Sequence, residues 1–515
     1  MCNLTPAYPD PMESDQAPAE WQEPEIYSVK LQRCIRACIA ADPVFRPRAR
    51  ELSLLAYDEI KGAPQIKAAL NDVALLQAAG AGDFDSAMEL VQQGADPKAR
   101  DLHTHETAFH FVVKSDCPAL IPLLVGHNML NEKNGQGDTP LHCAAVSGSG
   151  AMTSALLNQG ADRLKMDNDK LLPMQRAAKA GNDEALRELL DQSADEIDLS
   201  YHNTALRLAV ESGSDSCVRL LIDRGADIDA EQSNGETAFY LAAGKGHLAV
   251  LQALAQAKCY KDKPVEGLTA LLRACDNGQF EVSEKLIELG CDAHALSSEG
   301  LTSLHLAARK GHSRVLNLLI NVHVDLEARS NIEGQEGWTA LHMAVSKPDL
   351  LVTQVLIEAG SCLEARNMNG NTALHEAIIA KQFEMMKLLL AQGSDVNAKG
   401  VAGVTAMHLS TALGDVELVQ VLLEHEAKID TTTKDGLTPL SIAAWCGRFM
   451  VVRVLIEHGA KTGARDIHGH SALELARAGN HEDIVELLIK SGASDNKSLI
   501  HRTSDTLKYF LTFFV

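Results

Sequence analysis

Residues 139–148 read Thr-Pro-Leu-His-Cys-Ala-Ala-Val-Ser-Gly, a short helix written with its own start and stop. Thr139 supplies a hydroxyl for an orphan backbone N–H at a helix N-terminus. Pro140 follows at the position where a missing N–H costs nothing. Ala144 and Ala145 are small enough to let a neighbouring helix come close, and Gly148 takes a left-handed cap conformation without steric cost.

Working outward, the same opening returns at Thr107, Thr204, Thr237, Thr269, Thr302, Thr339, Thr372, Thr405 and Thr438, with Leu172 and Ser471 as degenerate members. Successive members stand 32 or 33 residues apart, except for 37 between Thr302 and Thr339, which implies a four-residue insertion. A fixed period of this size signals stacked structural repeats. Glycines recur in phase with it. One set, Gly148, Gly181, Gly213, Gly246, Gly278, Gly311, Gly414 and Gly447, is expected to stop the first helix. A second helix follows with apolar residues at i, i+3 and i+4, as in Val218, Leu221 and Ile222 or Val451, Val454 and Leu455. A second set, Gly94, Gly160, Gly225, Gly290, Gly360, Gly393, Gly459 and Gly492, ends it, and a polar finger with Asp or Asn leads to the next Thr. Neither helix can bury its apolar stripe alone, so the repeats must stack.

Thr139-Pro-Leu-His142, Thr339-Ala-Leu-His342 and Thr372-Ala-Leu-His375 resemble the signature of the ankyrin-repeat family, over about thirteen repeats between residues 72 and 494. The resemblance implies an all-α fold, an ankyrin-repeat α-solenoid of helix-turn-helix units with short β-hairpin-like fingers. The expected organisation is a disordered tail at 1–27, a helical segment at 28–68, the array at 69–494 and a C-terminal tail at 495–515. Within the second segment, Leu31, Cys34-Ile35, Cys38, Asp42-Pro43, Arg46-Pro47, Ala49 and Leu52 resemble the closing helices of a protein kinase C-lobe. No glycine loop, strand lysine, catalytic-loop Asp or metal-binding Asp accompanies them, so no kinase activity is expected of this chain.

Composition narrows the function further. A chain of 515 residues is too long for one ordinary core, and 46% hydrophobic residues give ample material to bury. Its net charge of −22 argues against general affinity for nucleic acid or anionic membrane, which need a basic footprint. Eleven cysteines without a C-x-x-C pair are expected to be reduced thiols. No apolar run approaches the ~20 residues that span a bilayer, and no secretory segment opens the chain. An intracellular place, cytoplasmic or nuclear, is expected.

Motifs for metalloprotease, phosphate-loop, serine-hydrolase or calcium chemistry are absent, so no enzyme activity, catalytic residue, cofactor or metal is expected. The resemblance gives the fourth-position histidines, His142, His305, His342, His375 and His408, a structural role: their rings support finger backbone. His247 and His312 are expected to be structural too. Partner-binding side chains must come from the slots an ankyrin fold leaves free, at finger tips, before the signature Thr and at the end of the first helix. Those slots hold Trp338, Met368, Asn369, Arg309, Lys310, Lys347, Leu413, Trp445 and Ile467. Trp and Arg are enriched in binding hot spots, while Trp338 has the alternative role of covering its own finger. Arg309 and Lys310 would steer an acidic segment, or serve only as a solvated face. The insertion Asn331 to Glu336 lengthens the finger before Trp338.

The expected function is a scaffold or adaptor that binds a partner protein through groove and fingers. The alternatives are the regulatory part of a kinase–ankyrin fusion and an inert spacer. Stability is expected to be uneven, because repeat 107–138 lacks both helix-stopping glycines and repeat 237–266 lacks the second.

Overall fold

A computed structural model describes residues 64–124, 129–147, 149–191 and 198–494. The expected tails, the kinase-like stretch 28–62 and Gly148 lie outside the described residues. The chain divides into two compact units, 1–227 and 228–515. Regular structure among the described residues is helical, and the fingers are turns with isolated bridges at Arg100–Thr107, Val265–Leu268 and Arg465–Ser471.

The unit 228–515 is a run of helix pairs, from Ala238–Lys245 with Leu248–Gln256 to Ala472–Ala478 with Glu482–Lys490. Thr237, Thr269, Thr302 and Thr438 each cap a first helix by accepting from the backbone N–H three residues on. Pro439–Trp445 packs between Ala406–Leu413 and Ala472–Ala478, so first helices form one layer and second helices another. The alanine pairs lie at these contacts: Ala242-Ala243, Ala307-Ala308 and Ala443-Ala444 are all buried. Small side chains there let the helix axes approach.

The unit 1–227 repeats the plan with more departures. Its first described helix, Pro64–Ala81, runs through residue 69. Thr204 does not begin a helix as expected; it lies inside Leu199–Ser212, whose N-cap is Asp198. The Asp198 carboxylate accepts from the Ser200 N–H, and the Thr204 hydroxyl donates instead to the Ser200 carbonyl at 3.0 Å. A capping carboxylate further upstream has displaced the Thr from its usual job.

The two sets of glycines work differently. Gly278 has φ +71°, and a Cβ there would meet the His312 ring at 2.6 Å, so both conformation and the next repeat require glycine. Gly360 has φ +92° with nothing near, so conformation alone selects it. Where the sequence lacks glycine, another residue takes the left-handed conformation: Asp116, Lys258, His323, Lys381, Glu426 and Asn480 have φ between 47° and 64°. The repeats without glycine therefore keep the turn and carry its strain.

Fingers and loops are tied from repeat to repeat. Within a finger, the residue five before the signature Thr holds the turn: Leu171 N–H donates to Asp167, and Asn371 N–H to Asn367, both at 2.9 Å. Between loops, Asp395 N–H donates to Glu364 at 2.9 Å, Lys428 N–H to Asn397 at 2.8 Å and Lys461 N–H to Asp430 at 2.9 Å. These bonds explain why the fingers are rich in Asp and Asn.

Candidate interaction surface

The histidines come first, because they decide what is left for binding. In His408, Nδ1 lies 2.9 Å from the Thr405 hydroxyl and accepts from the Thr405 N–H at 3.1 Å. Its Nε2–H donates to the Leu437 carbonyl, just before the next signature Thr, at 3.1 Å. His142, His305, His342 and His375 make the same bonds, and so does His110. Burial pushes the imidazoles of His342, His375 and His408 down to about 4, because a charged ring would lose its solvation. They stay neutral at pH 7 and are committed to the fold.

Gln175 substitutes for histidine in the degenerate repeat. Its side-chain oxygen accepts from the Leu172 N–H at 2.9 Å and its amide donates to the Tyr201 carbonyl at 3.3 Å. His312 donates through Nε2 to the Asp276 carbonyl, while Nε2 of His247 is buried with no acceptor among the described residues. The described cysteines are free thiols, and burial pushes Cys259, Cys275 and Cys291 up to about 12, which leaves them protonated.

The slots expected to be free are not equally free. Trp338 is only 8% exposed and packs among Leu272, Leu301, Leu306 and Met343, with Ile332 of the insertion against it. The indole expected to face a partner is thus largely buried against its own finger. The insertion is tied down as well, since Asn331 N–H donates to the Glu299 carbonyl at 2.8 Å. Arg309 is paired with Asp276 at 3.2 Å, so the positive charge beside it rests on Lys310.

The remaining slots do face outward. Lys310, Lys347 and Asn369 are exposed, and Met368 is 77% and Ile467 63% exposed at finger tips. Leu413 is half-buried and lines a shallow depression with Lys381, Gly414, Asp415, Val416 and Glu417. Trp445 is half-buried; its carbonyl accepts from His481, and its Nε1–H is shielded without an acceptor. Lys245 escaped the sequence reading, although it stands at the same distance from its Thr as Lys310 and Lys347 from theirs. Glu376 also escaped it. Its carboxylate is buried, accepts from Asn367 at 2.8 Å and Asn371 at 3.0 Å, and is pushed up by desolvation. Among the described residues no three His, Cys, Asp or Glu gather as a metal site. No described helix is long and apolar enough to cross a membrane.

Among curated proteins, the chain is 34% identical over 223 residues to the chicken nuclear factor NF-kappa-B p105 subunit, covering 42% of this chain and 20% of that protein. It is 30% identical over 183 residues to the mouse B-cell lymphoma 3 protein homolog, covering 32% and 40%. It is 27% identical over 193 residues to the Caenorhabditis elegans homolog of a transient receptor potential cation channel, subfamily A member 1, covering 37% and 16%. The chain thus spans well under half of each relative's length. Among solved structures, the ankyrin repeat domain of Bcl-3 aligns with a TM-score of 0.40 and 27% identity, over 44% of this chain and 99% of that one. The family model for ankyrin repeats (3 copies) matches residues 75–167, 152–232, 226–297, 285–361, 304–400 and 407–498, and the chain belongs to the ankyrin-repeat family.

Proposed function

We propose that this chain is a non-enzymatic scaffold or adaptor, cytoplasmic or nuclear, that holds a partner protein on its 228–515 unit. The observation that carries the reading is a division of labour among side chains. His342, His375 and His408 are spent on holding repeats together, whereas Met368 and Ile467 give only their backbone N–H groups to the preceding finger and, like Lys310 and Lys347, keep their side chains exposed. Exposed side chains on a rigid repeat array are its means of recognition. The ankyrin relatives are consistent with a protein partner, whose identity is independent of the fold.

The test is cross-linking capture by the full chain, quantified against Met368→Ser with Ile467→Ser and against Lys310→Glu with Lys347→Glu. Recovery of a defined protein that drops with either double variant supports the reading. Equal recovery by all three proteins, or none, removes the assigned face.

A further inference from the structure

Eight residues after the Thr or Ser that opens each repeat, the 228–515 unit carries Lys245, Asn277, Lys310, Lys347, Ala380, Leu413, Cys446 and Gly479 in order. The first four are exposed and the last four half-buried. One position earlier the same change occurs: Asp276, Arg309 and Ser346 give way to Ile379, Ala412 and Trp445. The line where the first helices end is therefore charged in its first half and apolar in its second.

Lys263, Lys285, Lys387 and Lys490 each pair with a carboxylate. Lys245, Lys310 and Lys347 have no ion-pair partner among the described residues, in a chain whose net charge is −22. Lys258, Lys381, Lys428 and Lys434 also lack an ion-pair partner among the described residues, and what sets Lys245, Lys310 and Lys347 apart is that they share one register. Unpaired cations in one register on an acidic protein attract an anion that the protein itself does not supply. Two shielded donors lie beside this line, Nε of Arg309 in the charged half and Nε1 of Trp445 in the apolar half, both without acceptors among the described residues. A buried donor without a partner costs free energy until something accepts from it.

We infer that this line binds one protein segment, with an acidic stretch on Lys245, Lys310 and Lys347 and large apolar side chains on Ile379, Leu413 and Trp445. The inference rests on the scaffold reading and names the chemistry of its partner. Adjacent first helices lie about 10 Å apart, so Lys245 to Lys347 spans about 30 Å, the length of roughly nine extended residues. The acidic stretch is of that length, and the apolar stretch follows along the same path. On binding, the Arg309 and Trp445 side chains turn outward so that carbonyls of the bound segment accept from their donors.

The test is selection of a random 20-residue peptide display library on the full chain, with the enriched peptides titrated by fluorescence anisotropy at two salt concentrations. Enriched peptides are expected to carry an Asp/Glu run and a separate run of Leu, Ile, Phe or Trp. The variant Lys245→Glu/Lys310→Glu/Lys347→Glu, altered only at exposed positions, should weaken them at least about tenfold and flatten their salt dependence. Leu413→Ser should weaken them without changing the salt dependence, with an unchanged thermal melt confirming that the variant folds. Peptides that need Leu413 but carry no acidic run overturn this inference and leave the scaffold reading standing. Enriched peptides indifferent to all these variants overturn both. The variant Phe510→Ser/Phe513→Ser/Phe514→Ser checks the chain's own apolar segment 509–515 as occupant. If peptides bind the apolar half only in that variant, the half belongs to the chain itself and the inference fails.

Discussion

A neutral imidazole serves as both acceptor and donor in each signature position, and that double use sets what replacing it costs. His408→Ala leaves the Thr405 N–H buried without a partner, takes one of two donors from the Leu437 carbonyl, which keeps the Thr433 N–H, and opens a cavity; it should cost about 2–4 kcal/mol in urea unfolding. His408→Gln should cost distinctly less, because Gln175 makes the equivalent pair of bonds in its own repeat. Acid has a predictable sign. Unfolded histidine titrates near 6.5 and His342, His375 and His408 near 4, so the unfolded chain binds protons first as pH falls. Stability is complete above about pH 6.5 and declines toward pH 4, by about 2 kcal/mol per ring at pH 5. Glu376, pushed up by burial, works in the opposite direction. Urea midpoints at pH 7 and 5 check the sum, and a His375→Gln background should show a shallower decline. The histidine positions were legible because the signature spaces them; the role of Gln175 was not, since only the fold brings Tyr201 to its amide. The burial of Trp338 was not legible either: its slot is free in the family pattern, but the indole packs in one cluster with Leu306 of its own repeat and with Leu272 and Met343 of others.

At the scale of the helix pair, the turn survives substitution of its glycine, but at a cost. Glu426 holds φ 61° where the adjacent repeats have Gly393 and Gly459. Since its side chain is exposed, Glu426→Gly should stabilise the 228–515 unit by about 1 kcal/mol, read as a higher unfolding midpoint. Repeat 237–266 combines Lys258 at φ 64° with Tyr240 in the position of the bonding histidine. Its helices are expected to exchange amide hydrogens faster than Ala340–Val345 and Ala406–Leu413, each of which contains such a histidine. Uniform protection across the unit would contradict this. Helix starts were readable from Thr, Pro and Ala in phase. The start at Asp198 was not, because a carboxylate cap competes with Thr204 over a distance that periodicity does not reveal.

At the scale of the whole molecule, the repeats that carry the signature histidine are linked to the next by a rule set by position alone. His342 donates to the carbonyl of Asn371, the residue before Thr372, and His375 to that of Val404, the residue before Thr405. Excising residues 372–404 would join Asn371 directly to Thr405, and His342 would still meet the same carbonyl in the same place. The shortened chain should fold with its far-ultraviolet spectrum scaled to length, whereas excising half that stretch should abolish cooperative unfolding. Such an array is edited like text with a fixed line length: whole lines can be removed or copied while every remaining line still reads correctly.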